Sequence, residues 1–276
     1  MHDPQRPDNQ ARLLHHLLSN VRSLQKSRHR RDSCHRFWIE GIRQFVQAFD
    51  AGWDFETVIQ SRVLLKSSLA QMLARRLAAR GVARAAVTPE EFRSVSIAER
   101  ASGIGAIVKQ RWTPLQQIDP REGLCWVVLE WIRSPGNLGS ILRTAEAVGA
   151  AGAIFLGEAA DPFDPAVVRA SMGGLFPLQL VRTTHEHLSR WARSHGVMVV
   201  GLSPDAPQLW TDPLPAARPI ALLIGEERSG LSAGGAALCE RMVRLPMSGR
   251  ADSLNVSVAS GVMLYELVRR RGERET

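Results

Sequence analysis

The chain has 276 residues, a formal net charge of +8 and 45% hydrophobic side chains, so it forms one large or two ordinary domains with a proper core and favours polyanionic partners. Cys34, Cys125 and Cys239 are odd in number, far apart and without a C-x-x-C, which argues against a disulfide scaffold or zinc site and fits a reducing cytoplasm. The N-terminus lacks the apolar core of a signal peptide, and no run approaches the roughly 18 apolar residues of a spanning helix, so a soluble, cytoplasmic protein is expected.

Residues 1–10 are polar and hold two prolines, which predicts disorder. Leu14, Leu17, Leu18, Val21 and Leu24 then keep helical spacing beside Arg12, Arg22 and Lys26, the pattern of an amphipathic helix. It runs into Arg28, His29, Arg30 and Arg31, a cluster that suits phosphates or simply ends a surface helix in solvated charge. Residues 1–32 therefore read as a basic extension. From Arg36 onward strands at 37–39, 57–59, 84–87 and 104–108 alternate with helices at 40–49, 66–80 and after Pro89. The alternation predicts a small α/β domain over 33–110 with a largely parallel sheet. It holds no nucleophile–base pair and no ligand cluster.

Residues 111–123, with Pro114, Pro120, Gly123 and several charges, read as a linker. A second α/β series fills 124–276, with strands at 125–129, 153–156, 197–201 and 220–224. Helices fit at 138–148, about 163–172, 185–195, 232–240 and 255–271. Ile220 to Ile224 is the most apolar strand, as expected at the centre of a covered parallel sheet. His185 and His187 form an H-x-H, but i and i+2 face apart on a helix, so surface positions and no metal are expected.

Three stretches at strand–helix junctions concentrate small and polar residues. In Ser134 to Gly149, Asn137 is placed to cap a helix that Gly149 ends, and Leu138, Ile141, Leu142, Ala145 and Val148 make its core stripe. Arg143 falls on roughly the opposite face. An isolated helical arginine is usually a solvated charge, but this one follows a Pro-Gly-Asn loop at a strand end, where ligands of α/β sheets gather. Gly225 to Leu231 has P-loop glycine spacing with Leu231 where the lysine belongs, so no Walker A site exists. It could be a plain turn or an acid/base pair of Glu226 and Glu227; a loop embracing a cofactor fits better. In the third stretch, Pro246 breaks a strand end and Gly249 lies in a polar loop. Ser253 and Asn255 precede a helix with Val256, Ala259, Val262, Met263 and Leu267 in core spacing and small Ser257, Ser260 and Gly261 among them. Ser253 and Asn255 suit a phosphate or ribose, or merely cap the helix.

In order and spacing the three stretches resemble the signatures of the SpoU (TrmH-like) RNA ribose 2′-O-methyltransferases of the SPOUT superfamily, over about 125–271. More loosely, Phe37 to Arg43 and Gly103 to Ile107 resemble the ends of the ribosomal-protein-like RNA-binding domain that precedes many SpoU catalytic domains. The resemblance implies an α/β catalytic fold with a C-terminal trefoil knot, and a homodimer whose active sites draw on both subunits. It implies S-adenosylmethionine bound near Leu223, Gly225, Leu245, Met247 and Leu254. It puts Asn137, Arg143, Glu227, Ser253 and Asn255 in functional places, with Arg143 as base or as orienting charge. Arg28, Arg30, Arg31, Arg36 and Arg43 become candidates for RNA contact. The chain departs from the pattern at Glu226 and Arg228, where many relatives carry Asn and Gly, and has Glu130 as the acid often seen after the first strand. A separate N-terminal domain points to ribosomal RNA. The alternatives are a tRNA ribose methyltransferase, a SPOUT base methyltransferase, and a non-catalytic RNA-binding or assembly protein on this fold.

Overall fold

The computed structural model describes residues 6–157, 161–212 and 218–275. Two compact units emerge: Phe163–Arg169 joins the chain up to Gln110 in the first, and Arg111–Pro162 with the chain from Ala170 forms the second. No helix among the described residues is long and apolar enough to cross a membrane.

The first unit opens with α1 (Arg6–Lys26), so residues 6–10 are helical rather than disordered, and residues 1–5 lie outside the described ones. Leu18, Val21 and Leu24 are buried as the spacing predicts, against Trp38, Ile59, Phe92 and Ile107. Ser27 then starts α2 (Arg28–Cys34), its hydroxyl accepting from the Arg30 N–H at 3.1 Å. The remaining elements are β1 (Arg36–Glu40), α3 (Ile42–Asp50), β2 (Phe55–Gln60), α4 (Ser68–Ala79), β3 (Ala83–Ala86), α5 (Pro89–Arg93) and β4 (Ile104–Lys109). The sheet order is β1-β4-β2-β3. It corrects the expectation of a largely parallel sheet: β4 runs antiparallel to both neighbours, and only β2 and β3 are parallel. Alternation of strands and helices fixes the element types, whereas the connection from α5 sets the direction in which β4 enters the centre.

The second unit is built from β5 (Trp126–Glu130), α6 (Pro135–Ala147), β6 (Gly152–Leu156), β7 (Gln179–Thr183), α8 (His185–Ser194), β8 (Met198–Leu202), β9 (Gln208–Leu209), β10 (Ile220–Ile224), α9 (Ala233–Leu238), β11 (Arg241–Arg244) and α10 (Val256–Glu275). The short helix α7 (Pro165–Ala170) was expected in this series by sequence order. Its residues up to Arg169 pack in the first unit instead, where Phe163 lies 4.7 Å from the Phe37 ring. Every pairing in the seven-stranded sheet is parallel, in the order β7-β6-β5-β10-β8-β11-β9. The apolar strand β10 occupies the middle place, fully buried. Sequence reading passed over β7 and β9 and caught only the end of β11 before Pro246; these polar or very short runs lie at or beside the sheet edges. Residues 111–123 pack within this unit: Leu115 and Ile118 are buried, and Trp126 Nε1 donates to the Asp119 carbonyl at 3.1 Å.

Candidate active site

Strands β5 and β10 are neighbours in register, Leu129 opposite Ile224, so the loops after them leave the sheet side by side. Ser134 caps α6, its hydroxyl accepting from the Asn137 N–H at 3.4 Å, with Pro135 in the first turn. Asn137 therefore does not cap the helix, as the sequence suggested, because a Ser-Pro start already does so three residues earlier. Its amide is left to bond sideways. Asn137 Nδ2 donates to Glu227 Oε1 at 3.1 Å, and Asn255 Nδ2 donates to Asn137 Oδ1 at 3.0 Å. Asn255 does cap α10, its Oδ1 accepting from the Ser257 N–H at 2.9 Å. One run of hydrogen bonds thus joins all three sequence stretches.

Glu227 also accepts from the backbone N–H groups of Ser134 at 3.1 Å and Arg133 at 3.4 Å. Partial burial alone would raise its pKa, but the bonds from Asn137 and the α6 start outweigh it and hold the carboxyl below the usual range. An ionised, donor-saturated carboxylate is a poor general base and a good brace. Glu226 turns the other way, ion-paired to Arg133 Nε at 3.1 Å and hydrogen-bonded by the Ser229 hydroxyl. The adjacent pair therefore does not converge on one atom.

The loop from Gly225 to Leu231 closes on itself, Glu226 and Gly230 exchanging backbone bonds of 2.9 and 3.1 Å, with Gly230 at φ +68°. A Cβ on Gly225 would stand 2.3 Å from the Gly230 carbonyl carbon and oxygen, so only glycine allows this closure. Gly225→Ala is expected to weaken cofactor binding about 5- to 150-fold, the equivalent of about 1–3 kcal/mol of overpacking. Isothermal calorimetry with S-adenosylmethionine checks it; unchanged affinity would show that the loop tolerates opening.

This loop walls a cleft of about 420 Å³ together with Leu202–Asp205 and the segment that leads to α10. Gly225, Glu227, Leu245, Met247, Ser253 and Leu254, all expected from the sequence, line it. Leu223 does not; it is fully buried in the apolar layer beneath, one residue short of the strand end. Asn137 and Asn255 brace the cleft through Glu227, while Arg143 is exposed on α6 and lines no part of it.

Sequence reasoning named Glu130 as the acid after the first strand but missed its partners under the loop. Glu130 is fully buried at the end of β5, accepting from the Ser232 N–H at 2.9 Å, the Ser232 hydroxyl at 2.6 Å and His185 Nε2. Burial alone would raise its pKa, yet the Ser232 and His185 bonds prevail and hold it below the usual carboxylate range. Ser232 caps α9 directly after Leu231, so this carboxylate anchors the far end of the loop. His185, expected as a free surface residue, is tied to Glu130; His187 is exposed. Cys239, pushed up to about 12 by burial and by Glu130, is inert at neutral pH. Among the described residues no three His, Cys, Asp or Glu side chains cluster to hold a metal.

Of the arginines expected to meet RNA, Arg31 is only 2% exposed and donates to the carbonyls of Leu24 at 2.6 Å and Gln25 at 3.3 Å and to Asp164 at 3.4 Å. It is a clamp inside the first unit, because an arginine following a helix break meets the freed carbonyls of that helix. Arg28 pairs with Asp32 at 3.4 Å, and Arg36 pairs with Glu56. Arg30 reaches Asn20 at 3.5 Å, and Arg43 is exposed on α3.

A parallel sheet whose carboxyl-end loops wall a small-molecule cleft defines the α/β class in which many cofactor-dependent enzymes bind their ligands. Residues 125–265 match the SpoU rRNA Methylase family, and residues 18–106 match the MRM3-like substrate binding domain. The 23S rRNA (uridine(2479)-2′-O)-methyltransferase of Streptomyces viridochromogenes is 34% identical over 250 residues, covering 89% of this chain and 86% of that one. An AdoMet-bound rRNA methyltransferase from Sinorhizobium meliloti superposes with a TM-score of 0.84 at 34% identity, covering 92% of this chain and 94% of that one. The SpoU methyltransferase AviRb of Streptomyces viridochromogenes, in complex with AdoMet, gives 0.82 at 32% identity over 92% and 97% of the two chains. The chain belongs to the SpoU rRNA methylase family.

Proposed function

We propose that this protein transfers a methyl group from S-adenosylmethionine to a ribose 2′-hydroxyl of ribosomal RNA. The observation that carries the reading is the cleft between the Gly225 loop and Leu245–Leu254, braced by the Glu227–Asn137–Asn255 hydrogen bonds. Its volume of about 420 Å³ suits a nucleoside-sized ligand. Ile224, Leu231, Leu245 and Met247 offer apolar walls, and Glu226 and Asp205 carry charge complementary to a cationic cofactor. S-adenosylmethionine supplies an electrophilic methyl on a sulfonium; this chain's residues hold it and present the alcohol.

A ribose hydroxyl is a weak nucleophile until its proton leaves or its oxygen is polarised. Arginine stays protonated, so Arg143 serves best by orienting the ribose and stabilising developing negative charge on its oxygen. Ser253, exposed on the cleft wall, is placed to meet the incoming nucleotide. We further infer a homodimer in which Arg143 serves the partner's cleft, and a C-terminal segment threaded as a trefoil knot. Arg143 lines no part of its own cleft, which supports the first inference. So does an exposed stripe on α10: Val258 at 51%, Tyr265 at 59% and Val268 at 37% share one helical face.

Incubation with methyl-labelled S-adenosylmethionine and unmodified ribosomal RNA or tRNA, followed by digestion to nucleosides, tests the reading. Label on ribose in ribosomal RNA is expected. Label on a base, or in tRNA alone, would replace the proposal with the corresponding enzyme, and absence of cofactor binding would end it.

A further inference from the structure

The arginines singled out by sequence are largely engaged within the fold, yet another set on the first unit has no anionic partner among the described residues. Gln60, Arg62, Leu65, Gln71, Arg75 and Arg84 line one cleft of about 270 Å³. Strand register explains the convergence. Arg84 stands opposite Val58, and Gln60, two residues along β2, shares that face of the sheet. Gln71 and Arg75 are i,i+4 on α4 and therefore point the same way. Arg62 enters from the loop that follows β2.

No carboxylate lines this cleft, and among the described residues none of its three arginines has an ion-pair partner. Guanidinium groups do not neutralise by losing a proton, so three in one cleft repel one another until an anion arrives. A second observation points the same way. Gln60 is only 7% exposed, and what its side chain leaves accessible lines the cleft, where an amide can meet a ligand. Gln71 spends its own N–H on the Leu65 carbonyl at 2.9 Å, which fixes the rim of the cleft. Planar guanidinium forks beside an amide suit the tetrahedral oxygens of a phosphate.

We propose that this cleft binds a backbone phosphate of the RNA substrate, and so is the principal RNA-docking point of the N-terminal unit. The proposal rests on the reading of the protein as an RNA methyltransferase. A polynucleotide is favoured over a small free anion because the surroundings extend beyond one phosphate. Val63, Leu69 and Met72 are large exposed apolar side chains in the same loop and helix, where unstacked bases find contact surface. The basic segment 28–31 thus yields the anchoring role to residues 62–84, which no charge run in the sequence marks.

The test uses the full chain, unmodified 23S ribosomal RNA and a labelled single-stranded RNA of about ten nucleotides, with affinity measured across a salt series. Arg62→Gln, Arg75→Gln and Arg84→Gln are each expected to lower affinity several-fold and to reduce the slope of log K against log salt by about 0.7–0.9. Gln60→Leu, which keeps the volume, is expected to weaken binding without changing the slope. Arg193→Gln, the same charge change on α8, controls for net charge and is expected to change little. Calorimetry with S-adenosylmethionine is expected to be unaffected in all of them. Slopes and affinities equal to wild type in the three arginine variants would overturn the proposal. Binding of inorganic phosphate at the cleft without any effect on RNA affinity would overturn it too, leaving a small-anion site. These slope changes in the variants, together with a wild-type protein that transfers no methyl, would support the docking site while refuting the enzymatic reading.

Discussion

Arg143→Lys is expected to lower kcat about 10²–10³-fold while leaving S-adenosylmethionine affinity and melting temperature near wild type. The magnitude is that of removing one well-aimed donor from a developing oxyanion. Lysine keeps the charge but loses the planar fork, so retention of activity by the lysine variant would mean that charge alone suffices. Stability should not suffer because the side chain is exposed on α6, opposite the buried Leu138, Ile141, Leu142 and Ala145. Its position also makes the dimer testable. If Arg143 serves the partner's cleft, Arg143→Ala and Gly225→Ala fail in different halves of the same composite site. Subunits of the two variants, mixed and allowed to exchange at a cofactor concentration too low to fill the Gly225→Ala cleft, would then recover about a quarter of wild-type activity, since half the dimers are mixed and each has one intact site. No recovery, with exchange verified by tagged subunits, would place Arg143 and the cleft in one chain.

The legibility of this site from sequence followed the range of the interactions. Helices and most strands were readable because burial on one face writes a local period, as in Leu138, Ile141 and Leu142 of α6 or the unbroken apolar β10. The cleft residues were readable because three short stretches keep a recognisable order. What local pattern could not supply was partnership. Whether Asn137 caps its helix or braces Glu227 depends on Ser134 claiming the cap and on a carboxylate 90 residues away. Arg31 and Arg84 are both arginines in basic surroundings, yet one is buried against the carbonyls of a broken helix and the other lines a cleft. The direction of β4 was equally hidden, since a strand's composition is the same whichever way it runs.

Glu130 is the extreme case, a carboxylate at the end of an apolar strand whose partners lie 55 and 102 residues further on. Its side chain packs so closely under α9 that a Cβ on Gly235 would come within 2.4 Å of Oε2. Glu130→Ala leaves the Ser232 N–H, its hydroxyl and the His185 ring without their acceptor, and such losses in buried networks cost about 3 kcal/mol. For a unit of this size that corresponds to a melting temperature lower by roughly 6–12 °C. Because Ser232 holds the end of the Gly225–Leu231 loop, the same variant is expected to weaken S-adenosylmethionine binding while Gln179→Ala, at the start of the opposite edge strand β7, does not. The pH dependence separates this brace from simple packing. Glu130's carboxyl is held below its unfolded value, so its stabilisation is fully present above the ordinary glutamate range and is lost as pH falls through the folded pKa. Melting temperature against pH should therefore fall on the acid side in wild type, and Glu130→Gln should flatten that limb. Parallel acid limbs in the two proteins would show that the carboxylate's charge contributes nothing there, and that Glu130 holds the cofactor loop by shape alone.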